Sequence, residues 1–535
     1  IYEYNGCFWH ACPTCYPKDR TKIKNPRTGH SLSETYAQTQ SKTKYLESCG
    51  YKVITKWKHE FTEDLKINPE LKEFVSSLDL QERLDPRDSF FGGRTNAIKL
   101  HHLIEEEEEI RYVDFTSLYP YVNKYKTYPV GHPEIITRDF KDLNSYFGIA
   151  KIKILAPRGL YLPVLPYRSG GKLKFPLCRT CADNETQDCC MCTDDQRAMI
   201  GTWCIPEIEK ATEKGYRILK IYEVYHFPQT SKYDTETKSG GLFAEYIDTF
   251  LKFKQESSDW PAWCDSQGKK EEYLQAYQDN EGVQLDPSNI CKNPGLRSLA
   301  KLKLNSFWGK FGQRQNFVQS SYFTEDNLPE FYQLLSDSTK ELKNFHIIND
   351  KLILVEYKHA YLQTPEDQLT NIFLATFTTC WARLHLYDVM DQLGDRVLYH
   401  DTDSIIYVHS PNMTNPQLGD YLGQLTNELD QNDYIIEYCS AGPKNYAYKT
   451  KKGKNCCKVR GFRLNFSNSL LIHFDAMKDI ITINRNKTIQ TSSSKILRDK
   501  LTNTLYNKQE TKTYQMVYDK RVLDPFSNQT FPYGY

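Results

Sequence analysis

Apolar residues in this chain come in short, strand-length runs more often than in helical periods. Arg111-Tyr112-Val113-Asp114-Phe115 reads as a strand that delivers Asp114 at its end, after which Ser117 through Pro120 turns the chain away, since proline stops a sheet ladder. Arg396-Val397-Leu398-Tyr399 and Ile405-Ile406-Tyr407-Val408 are short and β-rich. They predict a hairpin whose turn holds His400-Asp401-Thr402-Asp403-Ser404. Gly50 to Trp57 predicts another strand, residues 145–228 alternate strand-like runs with loops, and 317–368 are mixed strands and loops. Helical patterns occupy Thr35 to Cys49, roughly Gly241 to Ser257, a segment containing Arg297 to Lys310, and Asn371 to Leu393. A polar loop with Trp260, Pro261 and Trp263 is expected between the second and third of these, and the polar remainder up to Tyr535 is expected to be mostly helical. Residues 66–88, polar and carrying Pro69 and Pro86, read as a linker.

At 535 residues the chain is several domains long, and its 39% hydrophobic and 26% charged residues are ordinary for a globular protein. The longest apolar runs are strand-sized, which predicts no membrane span. A net charge of +1 gives nucleic-acid binding no global support, but from Lys444 to Arg460 there are seven Lys/Arg and no acid. Glu105 to Glu109 reads as a solvated acidic loop. The opening Ile1-Tyr2-Glu3-Tyr4 resembles the middle of a strand, without initiator Met or signal peptide, so a fragment is expected. Sixteen cysteines in so long a chain, clustered in metal-like spacings, point to a reducing, intracellular compartment. The nucleus is the first expectation, with mitochondrion or cytoplasm as alternatives.

The charge pattern becomes chemistry at the 399–404 turn. Asp401 and Asp403 crowd the end of apolar strands, and a hard divalent cation would relieve their repulsion; Asp and Ser are also ordinary turn residues. Asp114, at a second strand end, is a candidate third ligand. Arg297, Lys301 and Asn305 are four apart and share one helix face, either a polyphosphate clamp or a solvated face. The glycines of Phe90-Phe91-Gly92-Gly93 let a backbone approach something closely, or simply turn. Cys178-x2-Cys181-x7-Cys189-x2-Cys192 has zinc spacing, although Cys190 complicates the choice of third ligand and buried free thiols are the alternative. Cys7, His10, Cys12 and Cys15 form a second zinc candidate, against a hydrophobic strand end with an incidental His.

Three of these pieces occur in one order: Asp114 with Ser117-Leu118-Tyr119-Pro120, Lys301-x3-Asn305-Ser306-x-Trp308-Gly309, and Tyr399-x-Asp401-Thr402-Asp403-Ser404. They resemble motifs A, B and C of family B DNA polymerases. Lys444-x-Tyr446 resembles that family's primer-template motif, and Phe90-Phe91-Gly92-Gly93 its Tyr-x-Gly-Gly motif with Phe for Tyr. The family usually has Tyr where Trp308 stands, and Trp keeps the stacking surface without the hydroxyl. The long insert between the first two motifs is most similar to the protein-primed branch, as in Maverick/Polinton-type mobile elements and linear plasmids.

The resemblance implies an α+β right hand of palm, fingers and thumb that adds deoxynucleotides to a primer 3′-hydroxyl with two Mg²⁺. Asp114, Asp401 and Asp403 would be catalytic metal ligands. Phe115, Ser117, Leu118, Tyr119, Arg297, Lys301, Asn305 and Thr402 would bind the nucleotide, with the Tyr119 ring excluding a 2′-hydroxyl. Gly92, Gly93, Tyr399, Lys444 and Tyr446 would bind DNA. Implied partners are primer-template DNA, deoxynucleoside triphosphates and a terminal protein primer.

Gly6-Cys7-Phe8-Trp9-His10, with Gly50-Tyr51-x-Val53 and Trp57, is similar to the second half of a very-short-patch-repair-like endonuclease, in which His10 would be catalytic. That family's metal-binding Asp, and the polymerase's proofreading exonuclease, are expected upstream of residue 1. The expected domains are an endonuclease-like α/β segment 1–65, a linker 66–88, palm 89–240 with a Cys-rich insert, fingers 241–315, palm 316–440 and thumb with primer-template region 441–535. A DNA-binding remnant without catalysis and a nuclease working through the N-terminal segment are the alternatives.

Overall fold

The computed structural model describes residues 1–25, 28–77, 82–360, 369–524 and 526–535. It has mixed α/β architecture and divides into two compact units. One comprises Ile1–Glu82, Leu328–Asn344 and, among the described residues, 356–360; the other comprises Arg83–Asn327, Phe345–Val355 and the described residues from 369 to 535.

The large unit is organised by a nine-stranded sheet. Its main path runs Asn455–Val459, Asn445–Thr450, Ile435–Gly442, Glu109–Phe115, Ser404–His409, Val397–Asp401, Thr95–Ala97. Ser404–His409 lies antiparallel to Glu109–Phe115, with Ser404 opposite Asp114 and Ile405 opposite Val113. The unbroken apolar run Ile405–Val408 has a physical reason, because both faces of the strand are buried. Val113, Phe115, Ile405 and Tyr407 share a core with Leu386, Tyr387 and Met390 of the helix Ile372–Leu393, and with Ile152, Ile154 and Trp203 of a second sheet. Tyr112, Ile406, Val408 and Tyr399 face Met477, Ile480 and Ile481 of the helix Phe474–Thr482. The second sheet is antiparallel, ordered Met199–Cys204, Gly148–Leu155, Arg217–His226, Glu134–Ile136. In the small unit Tyr2–Asn5 pairs in parallel with Ile54–Trp57, and the connecting helix Leu32–Ser48 starts at a Ser31/Glu34 capping box.

Four expectations need correction. The C-terminal region is not mostly helical: Ile489–Arg498 and Leu505–Tyr514 form a long antiparallel hairpin. Its strands are rich in Ser and Thr, and burial along Ile489–Arg498 alternates with period two, so polar composition concealed a strand pattern. The loop expected after Ser257 contains a helix, Gln267–Glu281, capped by Ser266 and ended by Gly282 at φ +71. Its surface is almost wholly polar, so no apolar stripe marked it in the sequence. The expected 66–88 linker holds the helix Pro69–Ser77, where Pro69 starts the helix rather than interrupting one. Ser117, in left-handed conformation at φ 53, leads directly into the helix Leu118–Tyr125, where a plain turn was expected.

Candidate active site

The sheet register assembles the three acids. Asp114 ends the central strand, Ser404 pairs with Asp114 on one side and with Asp401 on the other, and the Phe115 N–H donates to the Asp403 carbonyl at 2.7 Å. All three carboxylates line one open cavity of about 630 Å³ with Tyr112, Lys444, Tyr446, Lys458 and Arg460. The turn is tight: Thr402 sits at φ 63, and the Asp403 N–H donates to the Asp401 carbonyl at 2.6 Å.

Crowding shows in the acidities. Burial, then the charges of Asp403 and Glu428, push the Asp114 carboxyl up to about 7, while Lys301 pulls the other way. Burial and Asp401 also raise Asp403. Asp401 is the most satisfied of the three. Its Oδ1 accepts from Thr95 Oγ1 at 2.6 Å and pairs with Lys444 Nζ at 3.0 Å. Two carboxylates that resist ionisation, lining the same open cavity as the third, fit an oxygen-ligated divalent cation.

The paired glycines brace this turn. A Cβ on Gly93 would lie 2.7 Å from both Cγ2 and Oγ1 of Thr402, whereas one on Gly92 would meet nothing within 4 Å among the described residues. The Thr402 N–H donates to the Arg94 carbonyl at 2.8 Å, and Thr95 pairs with Asp401 in the sheet. Arg383, buried and ion-paired with Glu207 at 2.8 Å, donates to the Phe91 and Gly92 carbonyls. The glycine segment therefore has a demonstrable partner inside the protein, the acid turn.

The second group of expected residues lies on the helix Pro294–Ser306. Arg297, Lys301 and Asn305 are all exposed there, while Ala300 and Leu304 are buried. The Arg297 guanidinium donates to Ser258 Oγ at 3.0 Å. Lys254, on the helix Ala244–Glu256, joins them: its ammonium donates to Ser117 Oγ at 3.3 Å. Burial, then repulsion from Arg297 and Lys301, bring Lys254 down to about 8. Three cations that repel one another beside Ser117 form a site suited to a polyanion. The half-buried Tyr119 ring stacks on Trp308, with centroids 4.7 Å apart, so the Trp at this position supports the Tyr119 ring. Phe115 and Leu118 are fully buried, which leaves only their backbone groups to offer.

Two residues expected at DNA face inward. Tyr399 is 1% exposed, and its hydroxyl accepts the Lys444 N–H at 3.0 Å, so it positions Lys444 rather than meeting solvent. Tyr446 is buried too, with its hydroxyl 3.1 Å from that of Tyr112, though its side chain borders the acid cavity. Lys458 and Arg460 also border it, because Lys458 pairs opposite Tyr446 in the sheet. Sequence reasoning noted the basic run but did not single them out; alternation along the Asn455–Val459 strand was the available signal. Thr95 and Arg383 had no distinguishing signal.

Both sulfur-rich clusters form, each with one ligand changed. Cys7, Cys12 and Cys15 gather with His59, not His10, and their ligand atoms lie within 4.8 Å of one another. The parallel register explains this: Asn5 pairs with Trp57, so His59 stands beside Cys7, with Nδ1 3.3 Å from the Cys7 Sγ. His10 instead lines a cavity with Glu3, His30 and Lys42. In the second cluster Cys190 replaces the expected Cys189, beside Cys178, Cys181 and Cys192. Alternate residues of an extended stretch face the same way, so Cys190 and Cys192 point inward together while Cys189 is exposed.

The family model described as DNA polymerase type B, organellar and viral, matches residues 44–262 and 285–394. The match includes Asp114, Lys301 and Asn305 and ends before Asp401. The chain is 22% identical over 398 residues to a probable DNA polymerase of Neurospora intermedia, covering 70% of this chain and 32% of that protein. Against a probable DNA polymerase of Agaricus bitorquis it is 22% identical over 366 residues, 64% of this chain and 36% of the relative. The chain thus spans about a third of the length of these curated relatives. Among solved structures, the Phi29 DNA polymerase ternary complex with primer-template DNA and incoming nucleotide is similar with a TM-score of 0.49 and 14% identity, over 93% of this chain and 74% of that one.

Proposed function

The chain belongs to the type B DNA polymerases of organellar and viral kind, and on that premise we propose that it carries the nucleotidyl-transfer centre of a template-directed DNA polymerase. The observation that carries this reading is the convergence of Asp114, Asp401 and Asp403 on one cavity, faced by the basic residues Lys444, Lys458 and Arg460.

In this reading a primer 3′-hydroxyl attacks the α-phosphate of a deoxynucleotide and pyrophosphate leaves. Asp114 and Asp403 would hold Mg²⁺, with Asp401 in support, and the ions would supply charge stabilisation of the attacking and leaving oxygens. Lys254, Arg297 and Lys301 neutralise the triphosphate, and Asn305 holds it by hydrogen bond. Tyr119, backed by Trp308, forms the wall under the sugar that favours deoxynucleotides. Lys444, Lys458 and Arg460 contact the duplex backbone, and such contacts weaken as salt rises. Most of the catalysis is positioning and electrostatics on a rigid sheet.

The central sheet corresponds to a palm, the helices Ala244–Glu256 and Pro294–Ser306 to fingers, and the region from 441 on to a thumb. The insert between Asp114 and Lys301 supports placement in the protein-primed branch, with a terminal protein as the priming partner. The N-terminal unit is an endonuclease-like remnant in the same reading, with His10 as its relic.

Primer extension by the chain on a primed template tests the function. The expected result is Mg²⁺-dependent, template-directed incorporation of deoxynucleotides in preference to ribonucleotides. Tight binding of the primed template with no extension would instead establish a binding remnant.

A further inference from the structure

The loop from 178 to 192, which opens on the short helix Arg179–Asn184, has very little apolar material to hold it. Its buried cluster consists of Cys178, Cys181, Ala182 and Tyr533, with Tyr167, Cys190, Cys192 and Val522 packed partly against it. Between the two cysteine pairs the sequence is polar, from Asp183 to Asp188. A segment of this composition does not pay its own ordering entropy through burial.

The sulfur geometry indicates what holds it. The Sγ atoms of Cys178, Cys181, Cys190 and Cys192 all lie within 4.8 Å of one another, and Cys181 Sγ is 3.9 Å from Cys192 Sγ. A tetrahedral zinc site with arms of about 2.3 Å has sulfur–sulfur edges of about 3.8 Å. All four thiols are free, so no disulfide accounts for the clustering. The backbone of the second pair is fixed from outside, as Arg158 donates to the carbonyls of Cys190 at 3.3 Å and Cys192 at 3.1 Å. Lys174, fully buried, donates to the Ala182 carbonyl at 2.6 Å. Four thiolates around Zn²⁺ carry two net negative charges; Arg158 beside the second pair offsets part of them, while Lys174 is also paired with Glu185 at 2.9 Å.

The same cysteines grip a distant part of the chain. The N–H groups of Leu177 and Cys178 both donate to the Tyr533 carbonyl, at 2.7 and 3.1 Å. Tyr533 is fully buried, with the Lys174 ammonium 5.2 Å from its ring centroid. Gly534, at φ +88, lies so close that a Cβ there would fall 2.3 Å from the Cys178 Cβ. Moving Cys178 therefore moves the seat of Tyr533 and Gly534.

We propose that Cys178, Cys181, Cys190 and Cys192 form a closed tetrathiolate zinc site that folds the 178–192 loop and locks the Tyr533–Gly534 segment onto it. This does not depend on the polymerase reading. The site has no free ligand position, so its role is structural.

Zinc content of the full chain, purified without chelator, tests the ligand set. Cys190→Ser is expected to lower zinc by about one ion per chain relative to wild type, while Cys189→Ser matches wild type. The comparison with wild type is unaffected by metal at the N-terminal cluster. Equal zinc in Cys190→Ser and wild type, or an equal loss in Cys189→Ser, overturns the assignment. If Cys190→Ser does not fold, amide exchange on the wild-type chain decides. Stripping zinc with a strong chelator should speed exchange at Leu177 and Cys178, and unchanged protection there overturns the clamp.

Discussion

The carboxylate centre and the Cys178 centre are both built where distant stretches of chain meet, yet they solve opposite problems. The acids sit at the ends of rigid strands in a sheet buried on both faces, and their cavity is open. Rigidity comes from the core, so the acids can be held in mutual repulsion, with Asp114 pushed up to about 7 by burial and its neighbours. The cysteines sit at a short helix, Arg179–Asn184, and on the stretch after it, with almost no core, and their cluster is closed. There the ligands have to supply the order themselves. A working site stores strain on a stiff scaffold, and a structural site spends its ligands on making a scaffold.

The strongest way to break this contrast is to neutralise one acid. Asp403→Asn should lower single-nucleotide incorporation by roughly 10²–10³-fold or more, with template binding and zinc content near wild type. Rapid-quench kinetics beside a DNA-binding titration would show it. A comparable loss of binding would mean the turn is needed for folding rather than chemistry.

Next in size is the brace behind the turn. Arg383→Ala leaves Glu207 buried and unpaired and frees the Phe91 and Gly92 carbonyls. Chemical denaturation should show a loss of about 3–5 kcal/mol. Gly93→Ala forces a Cβ against Thr402 at 2.7 Å and should cost about 1–3 kcal/mol, with incorporation falling more than DNA affinity. If DNA affinity falls first, the glycines serve the template and not the acid turn.

A smaller effect is expected at Lys254. Lys254→Ala should raise the nucleotide KM about tenfold, the value of one charge-assisted contact. Since Lys254 is held down at about 8, it loses its charge as pH rises past that value. In wild type kcat/KM for the nucleotide should therefore decline above about pH 8, and this alkaline limb should be absent in the variant.

The mildest prediction concerns stability. The folded state raises Asp114 above its ordinary value, so between the ordinary carboxylate range and about pH 7 the folded protein holds a proton that the unfolded chain has lost. Metal-free protein should accordingly lose stability as pH rises through that window. Asp114→Asn should flatten the slope, as followed by the thermal midpoint.

Legibility in the sequence followed the same divide. Asp114, Asp401 and Asp403 were readable because β-rich flanks and tight turn spacing are local signals, and the sheet then brought them together. The Ile372–Leu393 helix was readable from its local pattern, expected over Asn371 to Leu393. What was not readable depended on register between distant segments. His59 joins Cys7 only because Asn5 pairs with Trp57, and Thr95 reaches Asp401 only because their strands pair. Cys190 and Cys189 are indistinguishable until the chain's direction at that point is fixed. The Ile489–Tyr514 hairpin was missed because its strands bury so little that composition looked like a solvated helix.

The most direct test of the central claim is a double-mutant cycle between Asp114 and Asp403, read as Mn²⁺ affinity by electron paramagnetic resonance. If the two carboxylates share a cation, each single substitution to Asn weakens binding, and the double variant binds little worse than either single one. Losses that simply add, to within about 0.5 kcal/mol, would mean that the two acids act at separate sites and would contradict the account.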